Sequence, residues 1–394
     1  MIKFTRTAHA IGQGGFYSEC FEINDKDKFR LVYDCGSETL VPTSKSNKTN
    51  FKKIINSDLC KSANSRKNDI DVLVVSHFHA DHINGIEFLN PKYIVIPLID
   101  KKQLLMLWTY SVIHDIDFAI GLEADLRERF PQAQIIGVKQ MEDEEYHANE
   151  NSLNNNNYNH VIASHNPLPK FALNSIDSFW EYRFYNPNLN KFLHKFKNEL
   201  AIKGLDFDKL QGFGSKTYID IHRDDLKKIY ASVGNVNEHS LLMYSNCKDG
   251  AIKNISFRNA FQSRTVNLPC SHYCHLRWCM DCPPYSPGGF YWGDIAVTDS
   301  LKSDLHKYLK TLPPVEFIQI PHHGSHYNFK VSILDSSIYK VSRPLLCVIQ
   351  AGTINKYGHP SANVISKIIG HKEIPIIVTE DRSSYFIQSF DFII

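Results

Sequence analysis

The segment Ser76–His82 constrains this chain most, because it places three histidines and one aspartate in the pattern H-x-H-x-D-H. It directly follows Asp71–Val75, an apolar and β-branched run that predicts a buried strand, so these side chains are expected on a loop at the strand's carboxyl end. Imidazole nitrogens and carboxylate oxygens suit Zn²⁺, Mn²⁺ or Fe, and a site with fewer than four protein ligands leaves room for water or substrate. The pattern therefore predicts parts of two neighbouring catalytic metal sites. The alternative is a His-rich surface loop that binds no metal.

This motif resembles the first metal motif of the metallo-β-lactamase superfamily. Six other segments resemble motifs of one branch of that superfamily and occur in the expected order: Ile11–Gly14, Leu31–Gly36, Asn237–Leu242, Tyr291–Asp294, Gln319–Ser325 and Asn355–Pro360. That branch contains the hydrolase domain of the ComEC-type DNA-uptake protein, and the resemblance extends over nearly the whole chain. The chain has no apolar stretch near the roughly 18 residues needed to span a bilayer, so the transport role is not carried over.

The resemblance implies an α/β fold, a four-layered αββα sandwich. It predicts a single domain over residues 1–394 with a helical and polar insertion at about residues 100–235. Within the insertion, Leu104–Arg129 has helical periodicity, residues 142–160 are polar, and Leu189–Lys203 predicts an exposed basic helix. Regular structure is expected again from Leu241 to a closing strand near Tyr385–Ile387.

The resemblance also implies the metal ligands. His77 and His79 hold a first divalent ion, zinc or manganese. Asp81 and His82 hold a second ion, and Asp294 bridges the two. Two ions about 3.5 to 4 Å apart would share an activated hydroxide and stabilise the charge that develops on an attacked phosphoryl or carbonyl centre. Asp81 is therefore counted among the catalytic residues, and the expected reaction is hydrolysis.

Two later histidine segments supply further candidates. His323 should complete the second site, in preference to His322, because the superfamily's last ligand usually stands immediately before glycine. His322 is then available for catalysis. In the segment N-x-Y-G-H-P, a Gly-Pro turn would present His359 at a loop tip. By resemblance, His359 acts beside the metals while Tyr357 and Ser325 contact substrate; the alternative is a turn histidine without chemistry.

The first metal site lacks an obvious third imidazole. Asn237 stands where many superfamily members have histidine, and its side chain could offer an oxygen ligand or orient a water. His239 lies within reach in sequence if the loop bends. His160 and His165 are further candidates, although a scattered histidine is more often a surface or packing residue.

A cysteine-rich segment at residues 270–282 raises a second metal hypothesis. Cys270, Cys274, Cys279 and Cys282 form C-x₃-C and C-x₂-C pairs in one short stretch. In a cytosolic chain, paired thiolates at such spacing favour a structural tetrahedral zinc over disulfides. Reduced free cysteines and redox chemistry are the alternatives. The zinc would stabilise the loop that leads to Asp294.

Composition and charge say less about partners. The formal net charge is only +2 at pH 7, so charge balance does not indicate a nucleic-acid partner. Positive charge does concentrate before the first metal motif, where Lys48, Lys52 and Lys53 could steer a polyanion to the site. The apolar residues between these lysines have helical spacing. The lysines could therefore equally well form the solvated face of an amphipathic helix. The N-terminus has no signal-type apolar core, so a cytoplasmic location and no membrane association are expected.

Three functional classes remain open from the sequence. The leading one is a metal-dependent phosphodiesterase, in particular a nuclease with a nucleic-acid or nucleotide substrate. The second is a hydrolase of small esters, lactones or phosphorylcholine groups, which the same metal core would serve. The third is a metal-binding interaction protein without turnover.

Overall fold

The chain folds into two β-sheets that face each other, with helices on their outer sides. The computed structural model describes residues 1–24, 26–43, 45–59, 68–141, 158–234, 239–248, 254–256, 286–341 and 344–393. In chain order, its strands are β1 (Ile2–Ala8), β2 (Phe16–Ile23), β3 (Lys26–Cys35), β4 (Asp69–Val74), β5 (Asn90–Pro97), β6 (Gln134–Val138), β7 (His160–Ile162), β8 (Trp180–Tyr185), β9 (Leu242–Cys247), β10 (Asn254–Ser256), β11 (Gly289–Tyr291), β12 (Phe317–Gln319), β13 (Leu346–Gln350), β14 (Ile374–Val378) and β15 (Phe386–Ile393).

The two sheets combine antiparallel and parallel pairing. The first has the strand order β10-β15-β1-β2-β3-β4-β5-β6-β7, with parallel pairing from β3 to β7. The second has the order β14-β13-β12-β11-β9-β8, with parallel pairing from β11 to β14. In an open parallel sheet, functional side chains gather at the carboxyl ends of the strands. The ends of β3, β4, β11, β12 and β13 are therefore the place to look for a site.

The described helices lie mostly in the two outer layers. They are α1 (Thr49–Leu59), α2 (Ala80–Ile83), α3 (Lys101–Ile113), α4 (Leu122–Arg129), α5 (Lys170–Leu173), α6 (Asn190–Ile202), α7 (Ser215–Ile221), α8 (Arg223–Val233), α9 (Asp299–Leu309), α10 (Ser336–Tyr339) and α11 (Ala362–Gly370). None of the helices among the described residues combines the length and apolar character that crossing a bilayer requires.

Three hydrophobic clusters hold the four layers together. Successive residues of a strand point to opposite faces of its sheet. Val72 and Val74 of β4 accordingly pack in the cluster between the sheets, where Trp180 also lies. Leu73 faces the other way, into the cluster with the helices that include α1, α3, α6 and α8. A third cluster joins the second sheet to α9, α10 and α11 and includes Ile349. The predicted αββα sandwich is confirmed.

The helical periodicity predicted over Leu104–Arg129 corresponds to two helices and not to one. Helix α3 ends at Ile113 and α4 begins at Leu122. Between them the backbone pairs with the metal motif instead: Ala80 N–H donates to the carbonyl of Asp117, and Ala119 N–H donates to that of Phe78. Hydrogen bonds to a distant segment replace helical ones, which local periodicity does not predict.

Residues 100–235, predicted as an insertion, contribute to both sheets. They supply β6 and β7 to the first sheet and β8 to the second, as well as helices α3 to α8. Helix α6 confirms the helix predicted at Leu189–Lys203. The bounds of the insertion and the single-domain organisation stay predictions.

Candidate metal centre

The H-x-H-x-D-H motif lies on the loop that leaves the carboxyl end of β4. Its last two ligand candidates, Asp81 and His82, already belong to the short helix α2. His77, His79 and His82 are all buried. The ring centroids of His77 and His82 are 4.1 Å apart, and those of His77 and His79 are 4.6 Å apart. The loop therefore brings the three imidazoles together.

Two loops of the second sheet bring Asp294 and His323 to the same place. Asp294 follows β11, and its backbone N–H donates to Ser240 Oγ over 2.8 Å. His323 follows β12 with a left-handed backbone (φ 53°). Its Nδ1–H donates to the carbonyl of Gln350 over 3.0 Å. The other ring nitrogen, Nε2, lies 3.2 Å from Asp81 Oδ2, so the second sheet completes the cluster begun by the first.

The cluster divides into two groups of candidate metal donors that share Asp81. One group is Asp81, His82, Asp294 and His323, and the other is His77, His79 and Asp81. Within each group, one donor atom of every residue lies within 4.8 Å of the others. Asp294 faces both groups, because its Oδ1 is 3.3 Å from His82 Nε2 and its Oδ2 is 3.8 Å from His77 Nε2.

Unpartnered atoms indicate that this cluster fits metal ions. Among the described residues, His77 Nε2, His82 Nε2 and Asp294 Oδ1 are buried without a hydrogen-bond partner. Leaving a buried polar atom unsatisfied costs about 1–3 kcal/mol, so three such atoms in one cluster favour the binding of a compensating ligand. Imidazole nitrogens and carboxylate oxygens are ligands for divalent ions such as Zn²⁺ and Mn²⁺. The two groups are therefore positioned to hold divalent metal.

Electrostatics divides the histidines of the centre into two kinds. Burial opposes a charge on His82, but Asp294, Asp81 and Asp34 outweigh it and hold the pKa of His82 well above its usual value. Burial and the neighbouring His82 and His79 hold the pKa of His77 well below its usual value. The surrounding carboxylates therefore favour the charged form of His82, whereas burial favours the neutral form of His77.

Glycines near the amino terminus make room for the motif. A Cβ at Gly15 would lie 2.5 Å from His82 Nδ1, and a Cβ at Gly36 would lie 2.4 Å from the carbonyl carbon of Asp81. Real Cβ atoms do not approach other atoms so closely, so any side chain at these positions would displace α2. The segments Ile11–Gly14 and Leu31–Gly36 thus lead into the close packing around the ligands.

The candidate-ligand set from the sequence omitted the residues that orient the imidazoles. Asp34 and Ser76 contact His82 and His77, while Ser240 contacts both His77 and Asp294. Asp34 stands at the end of a predicted strand, within a motif of the resemblance, and that position was the available signal. Nothing in the local sequence around Ser76 or Ser240 indicates which ring each one contacts.

His322 and His359 lie beside the two groups and belong to neither. Their ring centroids are 5.5 Å apart. His322 Nδ1 lies 2.8 Å from Asn328 Nδ2. His359 Nδ1 accepts from Gln13 Nε2 over 3.3 Å. Burial, with His323 and His322 nearby, lowers the pKa of His359 to about 3, so this ring is neutral at physiological pH.

The other predicted substrate contacts lie at different depths. Ser325 is buried, and its Oγ accepts from the backbone N–H of Tyr327 over 3.4 Å. Tyr357 is 48% exposed and stacks on His359 with ring centroids 5.5 Å apart. Its hydroxyl donates to Glu38 over 3.3 Å. The Tyr357 side chain is therefore accessible at the rim of the site, whereas the Ser325 side chain is buried.

The candidates for a third imidazole are not brought into the donor groups. His239 is buried beside Pro187, whose carbonyl accepts from His239 Nε2 over 3.0 Å, and it shares a small cavity with His77 and His79. His160 contacts Gln134, and His165 packs on Tyr308. Asn237 lies outside the described residues.

Cys270, Cys274, Cys279 and Cys282 also lie outside the described residues. The structural zinc proposed for them stays a prediction.

The lysine segment forms the amphipathic helix that was one of its two interpretations. Helix α1 buries Phe51 and exposes Lys52 and Lys53. Lys48, just before the helix, forms an ion pair with Glu87. Lys52 Nζ lies 5.4 Å from the centre of the Phe88 ring. The role of these lysines in steering a polyanion stays a prediction.

Comparison with known proteins gives a family match for the first part of the chain. Residues 14–148 match the family model of the metallo-beta-lactamase superfamily. The match includes the H-x-H-x-D-H motif and ends before Asp294 and His323, whose place in the centre rests on the geometry above. No curated protein matches the chain. The superfamily consists mostly of metal-dependent hydrolases, and the buried His/Asp centre suggests the same for this chain.

Proposed function

We propose that this chain is a metal-dependent phosphodiesterase, and in particular a nuclease. The observation that carries the proposal is the pair of donor groups that share Asp81, with unpartnered buried atoms facing both of them. Two bound divalent ions would lower the pKa of water toward neutrality and stabilise charge on an attacked phosphoryl group. His77 and His79 would hold one ion, His82 and His323 the other, and Asp81 and Asp294 would contact both.

Residues outside the donor groups would handle the substrate. Because Gln13 Nε2 donates to His359 Nδ1, the proton of the neutral His359 ring is on Nε2. Such a ring donates a hydrogen bond without carrying a charge, which suits a contact to a phosphoryl or leaving-group oxygen. Tyr357 stacks on this ring at the rim and would limit which groups approach it. His322, beside His359, is the second candidate for this contact.

The choice of a phosphodiester rests on the motif pattern. The order of segments from Ile11–Gly14 to Asn355–Pro360 resembles the branch of the ComEC-type hydrolase, which processes DNA. A two-metal centre with flanking neutral donors suits in-line displacement at phosphorus. Phosphodiester hydrolysis is therefore the reaction class that this resemblance favours, without the transport role.

A second candidate is a hydrolase of small esters, lactones or phosphorylcholine groups. The observation that favours it is the pairing of Lys48 with Glu87, which removes one cation from the segment expected to attract a polyanion. The net charge of +2 points the same way. A small substrate would need no extended basic surface.

A substrate panel tests the proposal. Metal-free protein is supplied with Zn²⁺ or Mn²⁺ and given single-stranded DNA, duplex DNA, RNA, cyclic nucleotides and chromogenic esters. We expect metal-dependent cleavage of a phosphodiester, absent from Asp81→Ala and Asp294→Ala preparations purified in the same way. Cleavage of carboxylic esters alone would favour the second candidate. Metal binding without turnover on any substrate would indicate a binding protein.

A further inference from the structure

One buried carboxylate, that of Asp34, contacts ligands of both donor groups. Its Oδ2 accepts from His82 Nδ1 over 2.8 Å and from Ser76 Oγ over 2.6 Å. Because the Ser76 hydroxyl proton points to Asp34, Ser76 Oγ can accept from His77 Nδ1, 2.8 Å away. His82 belongs to one donor group and His77 to the other. The contacts therefore form a continuous path between the groups.

These contacts fix the orientation of both rings. Because Nδ1 of each ring is engaged by Asp34 or Ser76, the Nε2 atoms of His77 and His82 are directed to the centre, where neither has a hydrogen-bond partner among the described residues. Residues that hold ligand imidazoles in this way typically contribute about 10–100-fold to metal affinity. Asp34 is 1% exposed, so water does not replace its contacts.

We propose that Asp34 is a positioning residue that couples the two groups, so that an ion held by one group raises the affinity of the other. An ion on His77 fixes that ring, and the ring fixes Ser76 and the Asp34 carboxylate. The carboxylate then already has the orientation that His82 needs. The second ion therefore binds without the entropy cost of ordering the His82 ring. The coupling is reciprocal. It rests on the metal binding in the proposed function and not on the reaction.

The chain offers closely matched variants for a test. Asp34 has a positive φ (57°), a conformation that asparagine tolerates well, so Asp34→Asn keeps the backbone and the side-chain shape while removing the charge. Ser76→Ala cuts only the path to His77 and leaves the contact between Asp34 and His82. Asp58→Asn is the control, because Asp58 also bonds a buried histidine, His9, outside the donor groups.

The experiment is calorimetric titration of metal-free protein with Mn²⁺, which thiolates bind weakly and which therefore ignores the cysteine segment. His77→Ala and His323→Ala give the affinity of each group without its partner. The coupling factor is the overall affinity of the intact centre for two ions divided by the product of those two affinities. We expect a factor of about 5–150. Asp34→Asn, combined with the same two changes, should lower this factor and weaken each group, while Asp58→Asn should leave the factor unchanged.

Several results would overturn the inference. A coupling factor unchanged by Asp34→Asn would do so, as would a wild-type factor of 1. If Asp34→Asn does not fold, Ser76→Ala decides: it should lower the coupling factor while the group of His82 alone keeps its affinity. Coupled Mn²⁺ binding without hydrolysis would reject the proposed function and leave this inference standing. Hydrolysis with a coupling factor independent of Asp34 would do the reverse.

Discussion

Two buried histidines of this chain, His9 and His82, differ in how completely their rings are hydrogen-bonded. Both ring nitrogens of His9 have partners: Ser18 Oγ at 2.8 Å and Asp58 Oδ2 at 2.9 Å. His82 bonds Asp34 through Nδ1, but its Nε2 has no hydrogen-bond partner and faces Asp294 Oδ1 at 3.3 Å.

This difference separates a structural histidine from a candidate ligand. Each residue is a histidine in contact with aspartate, so residue type and burial do not distinguish them. Hydrogen bonding and position together do. An unpartnered nitrogen alone is not a criterion, because His165 Nδ1 and His306 Nε2 are also unpartnered among the described residues and lie outside the donor groups. The unpartnered Nε2 of His82 faces a carboxylate within a donor group, so His82 has an atom available to a metal ion and His9 does not.

The largest expected effect comes from removing a carboxylate that faces both donor groups. Asp294→Ala should lower hydrolysis to background and reduce bound metal, because Asp294 faces both donor groups. The metal-free variant should still unfold cooperatively, which shows that the loss of metal is not a loss of the fold. Metal content by mass spectrometry, activity and melting temperature check this. Unchanged metal content would contradict the comparison.

A smaller effect is expected from crowding the His82 ring without removing a candidate ligand. Gly15→Ala would place a Cβ 2.5 Å from His82 Nδ1 and 3.0 Å from Asp34 Cβ. Metal affinity should fall by about 10–100-fold, the usual consequence of disturbing a residue that orients a ligand. Gly121→Ala is the matched control, because a Cβ there meets nothing within 4 Å. Equal affinities in the two variants would show that the ring of His82 need not be held in place.

A change at Asp58, the partner of His9, should lower the stability of the protein and leave its metal binding unchanged. His9 and Arg382 hold the pKa of Asp58 below its usual range, although burial alone would raise it. A lowered pKa in the folded state stabilises the protein above the unfolded pKa of about 3.9, and this contribution disappears as pH falls below that value. Asp58→Asn should therefore lower the free energy of unfolding by about 1–3 kcal/mol at pH 7. Urea denaturation across pH should show the deficit shrinking below about pH 4, with metal affinity unaffected.

The smallest effect is expected from exposed charge. Changing Lys48, Lys52 and Lys53 to Glu should weaken binding of single-stranded DNA and flatten its salt dependence, because each phosphate contact releases roughly one counterion. Turnover of a small chromogenic phosphodiester should hardly change. Reversing three other exposed lysines, Lys216, Lys227 and Lys228, controls for net charge. Equal losses of DNA binding in both triple variants would reject the steering role, since net charge alone would then account for the effect.

Local sequence predicts one part of this site and not the other. The motif at His77–His82 follows a strand whose apolar pattern is plain, so the ligands and their place at its carboxyl end could be predicted. Asp34 and Ser76 are 42 positions apart in the chain, and their contact depends on the pairing of β3 with β4. No local pattern encodes such a pairing.

The fold shows the same limit. A closing strand was predicted near Tyr385–Ile387, but β15 runs to Ile393 and pairs with β1 at the opposite end of the chain. The break between α3 and α4 likewise depends on hydrogen bonds to the metal motif. Hydrophobic periodicity predicts which face of an element is buried, and it does not identify the distant partner of that face.

The most direct test of the metal centre is electron paramagnetic resonance of the metal-free protein titrated with Mn²⁺. Two ions about 3.5 to 4 Å apart interact magnetically, so their spectrum differs from that of isolated ions. We predict two Mn²⁺ per chain with a spin-coupled spectrum, and loss of the coupled signal in Asp81→Ala, which removes the ligand shared by both groups. Mn²⁺ binding no greater in the wild type than in an Asp81→Ala and Asp294→Ala double variant would contradict the assignment of this cluster as a metal centre.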